Sequence, residues 1–195
     1  MNKIASIVFA VLGLLANSAF ASNGRYFTLD NGAANLSASA FNNPNCYGFT
    51  MGVQSSNLAS DEAHFSTEFS YLMFANANVV DTFSLNRTGT LTLAESSYQL
   101  AMVYALPVWK SGLDLTARGG IAYNSASITG SGLYSFTSGS AAQFSPTYGV
   151  GLRYNFTDGF GINARYDYLG SFIAQTGAAG VDESRVSVGL QFSYF

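Results

Sequence analysis

The chain has 195 residues, enough for one domain and short for two. Only 10% of it is charged while 15% is aromatic, and a net charge of -3 carries no basic footprint, so nucleic acid is excluded as a partner. Cys46 is the single cysteine, which excludes an intrachain disulfide and a cysteine-rich metal site.

The chain opens with MNKIASIVFAVLGLLANSAFA. Lys3 gives a positive start, Ile4 to Leu15 an apolar run, and Ala19-Phe20-Ala21 a small-x-small cleavage pattern, so residues 1–21 read as a secretory signal. Asn17 and Ser18 interrupt the run, which weakens the rival reading of a membrane helix. The mature segment, 22–195, then forms one domain.

Period-2 alternation marks the strands that follow. The first, Arg25 to Asn35, sets Phe27 and Leu29 against Thr28 and Asp30 and is the least regular. Asn42 to Asn45 is a loop. The second, Tyr47 to Gln54, alternates Tyr47, Phe49, Met51 and Val53 with Gly48, Thr50, Gly52 and Gln54. In the third, Ala63 to Phe74, Phe65, Phe69, Tyr71 and Met73 oppose Ser66, Glu68 and Ser70. The segment from Ala75 to Glu95 holds a short hairpin, Phe83 to Leu85 against Leu91 to Leu93, turning at Asn86 to Gly89 and too short to cross a bilayer.

The fourth strand runs from Ser97 to Val108, and Trp109 to Gly112 turns the chain into the fifth, Leu113 to Ser125. A Gly/Ser-rich loop, SITGSGLYSFTSGSAAQF, leads to the sixth and seventh, which share the stretch TYGVGLRYNFTDGFGINARYDYL. There Tyr148, Val150, Leu152, Tyr154 and Phe156 alternate with small residues and Arg153; Phe160, Ile162, Ala164, Tyr166 and Tyr168 alternate with Gly161, Asn163, Arg165 and Asp167. Thr157-Asp158-Gly159 is the turn between them. After a polar loop, Gln175 to Asp182, the eighth strand carries Val186, Val188, Leu190, Phe192 and Tyr194 on one face.

Long and short links alternate along the eight strands, as in outer-membrane barrels with tight periplasmic turns and long external loops. A soluble barrel of lipocalin type would hide its apolar face and show water a face rich in Lys and Glu. Here the polar face is Gly, Ser, Ala, Thr, Asn and Gln with a few Arg, which suits a narrow lumen. Trp109, Phe156, Phe160, Tyr194 and Phe195 fall where a periplasmic aromatic girdle belongs. The fold expected is all-β, an eight-stranded antiparallel up-and-down transmembrane barrel in a Gram-negative outer membrane.

YGVGLRYNFTDGFGINARYDYL followed by RVSVGLQFSYF resembles the closing strands of small OmpA/OmpX-type outer-membrane barrel domains. The C-terminus resembles the signal that barrel-assembly machinery reads, with Gly189, Phe192, Tyr194 and Phe195 in the matching places. Phe195 departs from that pattern, being one residue out of step with the apolar row. The soluble peptidoglycan-binding domain that follows the barrel in OmpA is not in this sequence. The partners implied are outer-membrane lipids, lipopolysaccharide and the assembly machinery, for a monomer that uses no cofactor.

Asp30, Glu68, Arg118, Arg153, Arg165 and Asp167 all share the inward parity. An eight-stranded interior is barely wide enough for side chains, so these charges must pair, either as a structural plug or as a gate for small ions. His64-Phe65-Ser66 is similar to the His-x-Ser of lipid A deacylases, yet both polar residues point inward at the periplasmic end of the third strand. A Ser–His nucleophile also needs an orienting acid; Asp61 and Glu62 are near in sequence but fall in an exposed link, and the chain is read as a non-enzyme. The external loops, with Leu133, Tyr134 and Phe136 in one of them, are read either as variable solvated segments or as surfaces for a host or surface ligand. The expectation is a structural or surface-interaction role, with a small gated pore as the alternative and a lipid A-modifying enzyme a distant third.

Overall fold

In the computed structural model the regular structure is all β, and the structure describes residues 24–37, 43–54, 62–83, 87–108, 111–132, 138–172 and 181–194. The strands are β1 (Arg25–Leu36), β2 (Asn45–Gln54), β3 (His64–Phe74), β4 (Ala77–Phe83), β5 (Arg87–Pro107), β6 (Leu113–Gly132), β7 (Ser138–Thr157), β8 (Phe160–Phe172) and β9 (Val181–Tyr194). All pair antiparallel in the order β3-β2-β1-β9-β8-β7-β6-β5-β4, and a further β3–β5 pairing closes the ring. Eight strands therefore form the barrel, and β4 stands outside it, paired to the outer half of β5. The signal segment, the loops carrying Leu133, Tyr134 and Phe136, Trp109 and Phe195 lie outside the described residues.

Alternation produces this arrangement because successive side chains on a strand point to opposite faces. The result is inverted relative to a protein built for water. Thr50 and Ser70 are fully buried, whereas Met102 is 62% and Phe144 71% exposed. An apolar outer face around a polar interior requires a hydrocarbon surrounding, and closure leaves no strand edge in it.

Aromatic pairs mark two levels on the outside. At the level of the tight turns Phe27 stacks on Phe192 at 4.9 Å, and Phe156 on Phe160 at 5.7 Å. At the opposite level Tyr71 meets Tyr98 at 4.7 Å, Tyr123 meets Phe144 at 5.0 Å, and Tyr148 meets Tyr168 at 4.8 Å. Both lie where amphipathic rings belong, at the two membrane–water interfaces.

Two expectations need correction. The short hairpin with Phe83–Leu85 as one arm is instead the β4–β5 pair, with Phe83 opposite Arg87 and Ala77 opposite Leu93. Leu91 to Leu93 sits inside one continuous strand of 21 residues. Likewise, most of the Gly/Ser-rich stretch read as loop is strand: Ser125 pairs Ala142, and the ladder continues to Thr129 opposite Ser138. Composition misled in both places. Ser, Thr and Gly look like linker in isolation, but pairing continuous with the barrel strands holds them as sheet.

Glycines set how closely the wall approaches its contents. At Gly52 an added Cβ would lie 2.2 Å from the Tyr26 ring, so the phenol stacks on bare backbone. At Gly119, facing outward, it would meet nothing within 4 Å. Gly52→Val is expected to abolish the folded, heat-shiftable band on unboiled detergent gels, whereas Gly119→Val leaves it unchanged. Equal folding of the two variants would contradict this packing.

Candidate functional site: a charge network in the lumen

Three acidic side chains organise the lower and middle lumen. Glu68, on β3, accepts from Tyr26 Oη at 2.6 Å and from Arg165 Nη1 at 3.3 Å. It also faces Arg153 at 3.7 Å and Arg118 at 3.9 Å. Asp30, on β1, takes the other end of the Arg165 guanidinium and accepts from Thr28 Oγ1 at 3.1 Å. Asp167, on β8, binds Arg185 Nη2 at 2.6 Å and Arg118 Nη1 at 3.4 Å. Arg118 in turn donates to Gln99 Oε1 at 3.3 Å.

All six residues singled out by parity are buried and brought into one network. Two further members escaped the sequence reading. Arg185 was missed because the last strand was begun at Val186, although it has the inward parity of Ser187 and Gly189. Tyr26 was missed because an aromatic in a polar row carries no charge signal; its ring lies 4.7 Å beneath the Arg153 guanidinium. Asp114 also faces in and lies within electrostatic reach of Arg153. The four arginines thus meet four carboxylates, and the charges balance.

The glycines of the inward rows make room for this network. A Cβ at Gly189 would fall 2.1 Å from Asp30 Oδ1, and one at Gly149 would fall 2.3 Å from Asp167 Oδ1. Gly189, part of the resemblance at the C-terminus, therefore also has a packing reason. Of its companions, Phe192 is half-buried in the lower girdle, Tyr194 is exposed, and Phe195 lies outside the described residues.

The void left between Thr28, Glu68, Arg118, Arg153, Arg165 and Gln191 is about 10 Å³, room for one water molecule. His64 and Ser66 are buried and engaged separately. His64 Nδ1 lies 3.3 Å from the Glu62 carbonyl, while Ser66 Oγ lies 3.0 Å from Tyr26 Oη. No group of three or more His, Cys, Asp or Glu suited to a metal occurs among the described residues.

An inverted, closed eight-stranded barrel with a packed polar lumen defines a class, the small outer-membrane β-barrels. The chain belongs to the outer membrane protein beta-barrel domain family, whose model matches residues 7–192. A search of curated proteins by sequence finds no match. Among solved structures, the N-terminal β-barrel domain of Pseudomonas aeruginosa OprF is 16% identical over 89% of this chain and 100% of that one, with a TM-score of 0.57. Neisserial surface protein A is 18% identical over 87% and 97%, at 0.56. Ail, the attachment invasion locus protein of Yersinia pestis, solved in complex with the heparin analogue sucrose octasulfate, is 16% identical over 88% and 99%, at 0.55. The protein is an outer-membrane β-barrel of the Gram-negative envelope.

Because Glu68 serves three arginines, its loss strands buried positive charge. Glu68→Ala is expected to lower unfolding stability in micelles by about 3–5 kcal/mol, the usual cost of breaking a buried pair. Urea titration followed by tryptophan fluorescence measures this, and a change below about 1 kcal/mol would show that the pairs contribute little.

Proposed function

We propose that the protein is a sealed barrel that carries a protruding sheet for contacts at the cell surface. The observation behind this reading is strand length. β5, β6 and β7 have 21, 20 and 20 residues, about twice the roughly 9–11 that cross a bilayer. Their outer halves continue past the Tyr98–Tyr123 level as a sheet with β4 at its edge. At about 3.3 Å per residue, β5 reaches roughly 35 Å beyond Tyr98.

The sheet carries no charged residue from Thr88 to Ala94, from Ser125 to Gly132 or from Ser138 to Thr147. Its outward positions include Ser127, Thr129, Ser138 and Ser140, all exposed. Such a surface binds through hydroxyls and, at β4, through a strand edge open to strand addition. The sulfated sugar bound to Ail is a precedent for an outward-facing ligand, with the difference that charge is not the attraction here.

The lumen in this reading is a structural plug, and His64 with Ser66 takes no part in catalysis. The pore alternative draws on Arg118, which is divided between Glu68 and Asp167 and has two places to go. The mature chain starts at Ser22, inserts through the barrel-assembly machinery and stands as a monomer among lipids and lipopolysaccharide.

Deleting Gly130 to Ala141 is expected to abolish binding of the purified barrel to host cells or matrix while its heat-dependent gel shift persists. Unchanged binding by the folded deletion variant would overturn the surface-contact role.

A further inference from the structure

Above the balanced network lies a second acidic feature that the charge pairing does not use. Glu95 on β5 and Glu183 on β9 both point inward and are 8% and 1% exposed. These strands are not neighbours in the sheet, so the two side chains meet across the mouth of the barrel. They lie within hydrogen-bonding reach of one another. Both oxygens of Glu183 and Oε1 of Glu95 find no donor among the described residues. Two carboxyl groups can hydrogen-bond to each other only if one keeps its proton.

The pair lies at the outer end of the barrel, at and beyond the outer aromatic level. Glu95 stands three residues beyond Tyr98 of the outer aromatic level. Asp182, next to Glu183, is exposed and accepts from the Tyr168 hydroxyl at 3.1 Å. Apolar layers flank the pair. One is Leu36, Ala77, Leu93 and Ala126, with Ile128 against it; the other is Ala34, Cys46, Leu72, Phe74 and Leu169. The titratable or charged groups in the neighbouring inward rows are Arg185, already bound to Asp167, and the Cys46 thiol. Among the residues whose side chains are described, Leu36, Ala77, Asn124, Ala126 and Leu169 also face this part of the lumen, and none of them is titratable.

We propose that Glu95 and Glu183 share one proton as a latch that ties β5 to β9 and keeps the apolar mouth shut, and that losing this proton opens the outer vestibule. The latch goes beyond the surface-contact reading and needs no ligand.

Burial raises Glu183 to about 7, with the Glu95 hydrogen bond and Arg185 drawing it back. Burial and the charge on Glu183 hold Glu95 well above the ordinary carboxylate range. A carboxyl whose folded-state affinity for its proton is raised stabilises the fold below the unfolded carboxyl's range. That contribution is lost as pH rises toward and through the folded value. Opening therefore belongs on the neutral-to-alkaline side, where two like charges would face each other between apolar layers.

Cys46 lies in the layer flanking the pair and is 1% exposed, so its labelling rate reports the vestibule. The test is N-ethylmaleimide labelling of the full mature barrel in micelles from pH 5.5 to 8, each rate divided by that of the unfolded protein at the same pH. The normalised rate is expected to rise about tenfold in wild type and to stay flat in Glu95→Gln and Glu183→Gln, whose amides donate without titrating. A flat wild-type profile would overturn the latch, as would an undiminished rise in both variants with their gel shift intact. If neither variant folds, the wild-type profile alone decides. Binding to cells, measured on the same samples, separates failure of the latch from failure of the surface role.

Discussion

Everything in this barrel follows from burying charge in a space too narrow for water to solvate it. Hydrocarbon outside forces the apolar row outward, so the polar row has nowhere to go but the lumen. Isolated charges there cost several kcal/mol each, which only pairing and hydrogen bonding offset. Glu68 meets this constraint most fully, with Tyr26, Arg118, Arg153 and Arg165 all directed at it. Ion pairs that join β1 to β8, β3 to β6, β3 to β7 and β8 to β9 tie the wall across its interior as well as around its circumference.

The wall and its filling are complementary in shape. Glycine at 48, 52, 149, 151 and 189 leaves room where a carboxylate, a guanidinium or a phenol approaches the backbone. The inward rows are therefore poor in volume at the wall and rich in reach toward the axis. Farther out the lumen changes character. Apolar layers replace the arginines, and the acid pair Glu95–Glu183 stands among them, with Arg185, bound to Asp167, the cation that acts on Glu183. The lumen thus changes in chemistry along its axis, from an ionic layer inside the membrane to apolar layers farther out.

Much of this was legible in the sequence. Alternation located the eight barrel strands, and parity alone placed Asp30, Glu68, Arg118, Arg153, Arg165 and Asp167 inside. Strand ends were harder to read, because a ladder can extend through residues with little preference of their own. Ser127 to Gly132 and Ser138 to Phe144 are examples, and so is the start of the last strand, where beginning at Val186 hid Arg185 and Glu183. Glu95 was hidden the same way, inside a segment read as a protruding hairpin. Tyr26 shows a different limit. An aromatic ring in a polar row is recognisable as part of a charge network only when the arginine above it and the glutamate beside it are in place.

The central claim is that paired charges fill and seal the lumen, and single-channel recording tests it most directly. Reconstituted in a planar bilayer at neutral pH, the wild-type barrel should show no conductance steps, because the void described among its pairs is about 10 Å³, the size of one water molecule. Stable, reproducible steps from the folded wild-type protein would contradict the account and make the arginines a gate.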